Sequence, residues 1–166
     1  MRTAIVYYSM SGNTQYVAEK IAEKISADII RIEPVKAYPD QGAQKFFWGG
    51  KSAIMGEKPK LQPYECNLEK YDRIIIGTPV WASNFAPPIR TFIHENRSIS
   101  DKKIAVFTCF SGGGAEKAID KMKKYIGVEK FEAELILVDP KENVKEGDDR
   151  KIEAFCSGIL RDISSN

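Results

Sequence analysis

Four short runs, Thr3 to Tyr8, Arg73 to Gly77, Lys103 to Cys109 and Glu134 to Val138, are mostly continuous in apolar residues where a half-exposed strand would alternate. Strands of that kind are covered on both faces, which is the mark of a parallel sheet whose connections lay helices over it. The intervening stretches agree. Val17, Ile21 and Ile25 share one face of a helix, and so do Ala118, Ile119, Met122, Tyr125 and Ile126 before Gly127, a residue suited to a C-terminal cap. The clearest stripe is Ile152, Phe155, Cys156, Ile159, Leu160 and Ile163, while Pro87 and Pro88 fit the first turn of another helix. The half-polar run Asp28-Ile29-Ile30-Arg31-Ile32-Glu33 suits an edge strand. Strands alternating with helices in this way require right-handed crossovers, hence a doubly wound α/β sheet. At 166 residues the chain is long enough for one buried core, so a single domain over residues 1–166 is expected, with Pro34 to Pro63 as a long connection inside it.

Composition removes several function classes. A net charge of +2, from 25 basic and 23 acidic residues that are interleaved along the chain, does not suggest nucleic acid. Polar residues from Ser9 onward interrupt the first apolar run too early for a signal-peptide core, and no later run could cross a bilayer; a soluble, cytoplasmic protein is expected. Cys66, Cys109 and Cys156 are widely spaced and form no CxxC pair, so reduced thiols are expected and no metal site. His94 is the only histidine and lies in the helical run IRTFIHEN, which argues against a hydrolase triad.

The sharpest feature is where the first strand stops. After TAIVYY the chain breaks into Ser9-Met10-Ser11-Gly12-Asn13-Thr14 and then resumes as a helix. Ligands of such sheets bind beyond the carboxyl ends of the strands. Three hydroxyls, an amide, a bending glycine and the unpaired N–H groups of a helix start make a phosphate cradle there. The loop holds no lysine or arginine, so aimed dipoles would neutralise the anion. Walker and dinucleotide glycine patterns are both missing after this strand. Taken alone, the cluster reads equally well as a helix cap.

Two further strands end at the same edge. One leads into Thr78-Pro79-Val80-Trp81-Ala82-Ser83-Asn84-Phe85, whose tryptophan offers a flat face, and the other into Cys109-Phe110-Ser111-Gly112-Gly113-Gly114, which offers bare backbone. Cradle, aromatic face and glycine edge together describe a planar heterocycle with one terminal phosphate, which is flavin mononucleotide (FMN). SMSGNT resembles the phosphate loop of flavodoxins, and GTPVWASNFAPPIRTF and FTCFSGGG are similar to the two flavin loops of the short-chain members, in the same order and spacing. The resemblance covers nearly the whole chain. It implies a three-layer αβα sandwich around a five-stranded parallel sheet of order 2-1-3-4-5. It also implies that Ser9, Ser11, Asn13 and Thr14, with the backbones of Met10 and Gly12, bind the phosphate. Trp81 would flank the ring, with Thr78, Pro79, Val80, Ala82 and Ser83 on one edge and Cys109, Phe110, Ser111, Gly112 and Gly113 on the other.

The implied function is low-potential electron transfer, the flavin cycling between oxidised, semiquinone and hydroquinone states without a catalytic acid or base. Its partners would be a reductase and an electron acceptor. Two departures stand out. The chain lacks the strong acidity of typical carriers, and Thr78 to Phe85 contains no glycine where many members flip a peptide near flavin N5; Asn84 is the residue there that best tolerates positive φ. The near-neutral charge and the segment Phe46-Phe47-Trp48-Gly49-Gly50, which could pack or cap a ligand, support an alternative: an FMN-dependent oxidoreductase of NAD(P)H or a quinone. A phosphoacceptor receiver is excluded because the third strand ends in IIIGTP without an aspartate. Stacking on Trp81 and few nearby cations would lower the flavin potential, an effect Lys117 could weaken; Cys109 is expected as a small buried thiol, and Lys141 to Lys151 as a solvated turn entering the last helix.

Overall fold

The opening apolar run becomes β1 (Thr3–Tyr7), buried along its whole length because it has a parallel neighbour on each side. The computed structural model describes residues 1–39 and 42–161. After β1 come α1 (Asn13–Ile25), β2 (Asp28–Arg31), α2 (Gly42–Ile54), β3 (Arg73–Trp81), β4 (Asn84–Phe85) and α3 (Pro87–Glu95). The chain continues through β5 (Lys103–Phe110), α4 (Ala115–Ile126), β6 (Ala133–Val138) and α5 (Asp148–Arg161). The parallel order is β2-β1-β3-β5-β6, and β4 pairs antiparallel with the end of β3 as a two-residue hairpin arm. Setting β4 aside, this is the expected order 2-1-3-4-5.

Helices cover both faces. On one side Val17, Ala18 and Ile21 of α1 and Ile152, Phe155 and Ile159 of α5 pack on Ile5, Ile75, Ala105 and Phe107. On the other, Ile89, Phe92 and Ile93 of α3 and Ile119, Met122 and Ile126 of α4 pack on Val6, Ile74, Ile76 and Val106. Alternate residues of one strand thus feed opposite cores, which is why these strands look uniformly apolar. Edge strand β2 is exposed except at Ile30, in keeping with its polar pattern.

Three local expectations need correction. The connection from Pro34 to Pro63 contains α2, so Phe47 and Trp48 lie on a helix; both are exposed, and only the backbone of Phe46 is described. β3 continues past Gly77 to Trp81, carried on by its pairing with β5 and then with β4. Leu160 is exposed although it falls on the stripe of α5, and Ile163 lies outside the described residues.

A buried charge pair ties the amino end of the sheet together. Arg73, at the start of β3 and 1% exposed, donates from Nε and Nη2 to both oxygens of Glu132 at 2.6 Å, and from Nη2 to the carbonyl of Ile159 at 3.2 Å. One side chain therefore joins β3, the approach to β6 and α5. Cutting Glu132 back strands a desolvated guanidinium, so Glu132→Ala is expected to lower stability by ~3 kcal/mol in urea titration. Breaking the exposed Arg2–Asp28 pair should move the midpoint far less.

Candidate functional site

At the carboxyl edge, β1 gives way to a loop whose geometry follows from Gly12. Gly12 is the N-cap of α1 at φ 94°, in the left-handed region, and its N–H donates to Ser9 Oγ at 3.1 Å. Asn13 Nδ2 donates to Ser11 Oγ at 3.3 Å. No side-chain hydrogen bond caps α1, so its first N–H groups are left without an intrahelical acceptor. Ser9, Asn13 and Thr14 are buried around them. A positive helix end with unused donors, walled by hydroxyls, attracts an anion.

The second loop is the β3–β4 hairpin. Thr78 Oγ1 accepts from the Ala86 N–H at 2.9 Å and donates to the Pro79 carbonyl at 2.8 Å, which braces the hairpin from behind. The Trp81 indole meets Tyr8 and Tyr38 edge to face, at centroid distances of 5.7 and 5.1 Å. It also lies so close to Gly49 of α2 that an added Cβ there would come within 3.1 Å of the ring. The helix rests its bare backbone on the indole. Ala82 and Ser83 hold φ of 49° and 57°, the two positions that a type I′ turn puts in the left-handed region. Asn84, the residue of this stretch that best tolerates positive φ, lies in β4, and its two predecessors carry the positive φ.

The third loop follows β5. Ser111 Oγ donates to Asp139 Oδ1 at 2.6 Å, which links this loop to the end of β6. Gly114, at φ 85°, is the N-cap of α4, and an added Cβ would lie 2.2 Å from Ser83 Oγ. Its neighbours are different. Gly112 and Gly113 lie outside the positive-φ set, and a Cβ on either would have nothing within 4 Å. The fold itself does not call for glycine at these two positions.

The three loops enclose one cavity of about 340 Å³. Met10, Ser11, Asn13, Thr14, Pro79, Val80, Trp81, Ala82, Ser83, Cys109, Phe110, Ser111, Gly112 and Gly113 line it. Of the residues expected in the site, Ser9, Gly12 and Thr78 stand behind this lining and shape it. Gly50, from the segment that could pack or cap a ligand, also lines it, as do Asp139 and Glu142, which were missed. Asp139 and Glu142 had a signal: the fifth parallel strand opens its loop at the same edge as the other three. The turn from Lys141 is therefore part of the site's wall, which corrects its reading as a merely solvated turn. Lys117 is exposed on α4.

The family model for flavodoxin matches residues 2–147. The chain belongs to the flavodoxin family. Among solved structures, this flavodoxin superposes on a flavoprotein of Lactobacillus acidophilus in complex with FMN with a TM-score of 0.69, at 23% identity over 85% of this chain and 95% of the other. A flavoprotein of Bacteroides eggerthii gives a TM-score of 0.72 at 21% identity, over 96% and 98% of the two chains. A flavodoxin of Streptococcus pneumoniae gives 0.57 at 19% identity, over 98% and 99%. These likenesses are likenesses of fold.

Cys109 sits in the cavity wall, 4% exposed, and burial pushes its thiol up to about 12, against a hydrogen bond with Thr14 that acts the other way. Its ordinary value is 9.0, so between pH 9 and 12 the unfolded chain releases a proton that the folded flavodoxin keeps. Stability from this group is complete below pH 9 and falls as pH rises toward 12. Urea midpoints measured from pH 8 to 10.5 should decline, and Cys109→Ala should flatten part of the decline. The hairpin gives a second expectation: Ala82→Gly relieves a left-handed alanine and should stabilise the protein by about 1 kcal/mol in the same assay.

Proposed function

We propose that this flavodoxin binds FMN in the three-loop cavity and carries electrons between protein partners, a reductase and an acceptor. The observation that supports this best is the joining of an uncapped helix start, an indole and two glycines that the fold does not demand in one cavity. Its volume of about 340 Å³ falls in the range of roughly 300–1,000 Å³ typical of small-molecule sites. The donor set suits the cofactor. N–H groups at the start of α1, with Ser11, Asn13 and Thr14, would receive the phosphate; Trp81 would flank the ring; Gly112 and Gly113 would let it approach the backbone. FMN supplies the redox chemistry when bound, and the chain orients it, desolvates it and sets the charge around it. Asp139 and Glu142 in the wall disfavour added negative charge on the ring, which works toward a low potential.

A second reading is an FMN-dependent oxidoreductase acting on a nicotinamide or a small quinone. It is favoured by α2, where Phe47 and Trp48 are exposed one turn or less from Gly50 in the cavity wall. Stopped-flow mixing with NAD(P)H separates the two: rapid bleaching of the flavin supports the enzyme, and reduction only through a partner reductase supports the carrier.

The purified protein should be yellow, or its apoprotein should quench FMN fluorescence on titration; a colourless protein that leaves added FMN fluorescent overturns the assignment. Trp81→Ala should weaken FMN binding by about tenfold, the loss of one stacked aromatic, and shift the midpoint potential. Unchanged values for both would remove Trp81 from the site.

A further inference from the structure

We infer that Lys141, in the loop after β6, is the cation of the phosphate subsite and makes this cavity select a phosphorylated flavin over an unphosphorylated one. The inference rests on the FMN reading and adds a residue that the phosphate loop itself lacks. A Cβ added to Gly12 would lie 2.9 Å from Lys141 Nζ and 3.5 Å from its Cδ, so the lysine stem drapes over the N-cap of α1. Glycine at position 12 thus serves twice: it takes up the left-handed N-cap, and it leaves room for an ammonium beside the helix start.

The backbone of this lysine is held in place. Its N–H donates to Asn13 Oδ1 at 2.9 Å, which ties the loop to the first residue of α1. Just before it, Asp139 N–H donates to the Phe110 carbonyl at 3.1 Å, and the Asp139 carbonyl accepts from Asn143 N–H at 2.8 Å. The side chain lies over the N-cap of α1 from an anchored turn, behind the residues that line the cavity.

Charge gives it a task. Among the described residues, those lining the cavity include Asp139 and Glu142 but no lysine or arginine, and Lys141 stands just outside them, over Gly12. A phosphate monoester brings a charge of about −1.5 to −2 at neutral pH, into a site where helix dipoles alone would face two carboxylates. Lys141 Nζ is in no ion pair among the described residues and is available to an anion. Riboflavin has the same ring and lacks the phosphate, so it should be indifferent to Lys141.

The test compares FMN and riboflavin, titrated by fluorescence quenching into apoprotein from the full chain, for wild type, Lys141→Gln and Lys141→Arg. Lys141→Gln is expected to weaken FMN by about tenfold, the size of one charge-assisted contact, and riboflavin by less than about twofold. Lys141→Arg should retain the preference, and the salt dependence of FMN affinity should flatten in Lys141→Gln. A readout without flavin accompanies it: inorganic phosphate should raise the Tm of wild-type apoprotein and leave that of Lys141→Gln unmoved. Wild type that prefers FMN, with an equal preference in Lys141→Gln and an equal response to phosphate, overturns the role of Lys141 alone. Wild type that binds neither flavin overturns the FMN reading and this inference with it. Lys141 is exposed, and an unchanged Tm without phosphate verifies that Lys141→Gln folds.

Discussion

β1 is paired in parallel on both sides, with β2 through Ala4↔Asp28 and with β3 through Ala4↔Ile74, and the rest of the molecule follows from that double pairing. The chain leaves β1 through α1, packed on one face of the sheet, and leaves β3 toward α3, packed on the other. Two loops that start side by side must then part. The crevice between them is where backbone donors escape pairing with their own chain, and it is the place where open α/β sheets take ligands. Residues as distant in sequence as Thr14, Trp81 and Gly113 meet there because parallel strands deliver their ends to one edge.

How far this could be read from the residues depended on how local each signal was. The central strands are unmistakable because burial on both faces leaves Ile74, Ile75 and Ile76 in an unbroken row. The loop after β1 and the hairpin tryptophan were legible as cavity walls because each is a strand end followed by residues that make poor core. The length of β3 was less legible: Pro79 and Val80 read as loop, and only the pairing of β3 with β5 and β4 keeps them extended. Left-handed backbone at Ala82 and Ser83 had no signal, since neither residue favours it and the turn is imposed by the strands it joins.

The missed parts share a cause. α2 is a helix with poor credentials, carrying Gly49 and Gly50 in its interior, where glycine costs roughly 0.5–1 kcal/mol relative to alanine. Gly49 makes sense only once the indole of Trp81 is lying against the helix. The turn after β6 looked like ordinary solvated charge because its significance lies in what Asn13 and Gly12 offer it from 128 positions away. Neither could be found by inspecting its own neighbourhood.

The Arg73 clamp and the cavity lie at opposite rims of the sheet. At the amino rim, separating α5 from β3 exposes a buried guanidinium that has three acceptors, so that end resists breathing. At the carboxyl rim the walls are loops, and loops are where native proteins open first. The molecule is therefore built like a vessel with a riveted base and a loose mouth: a guest can come and go while the hull keeps its shape.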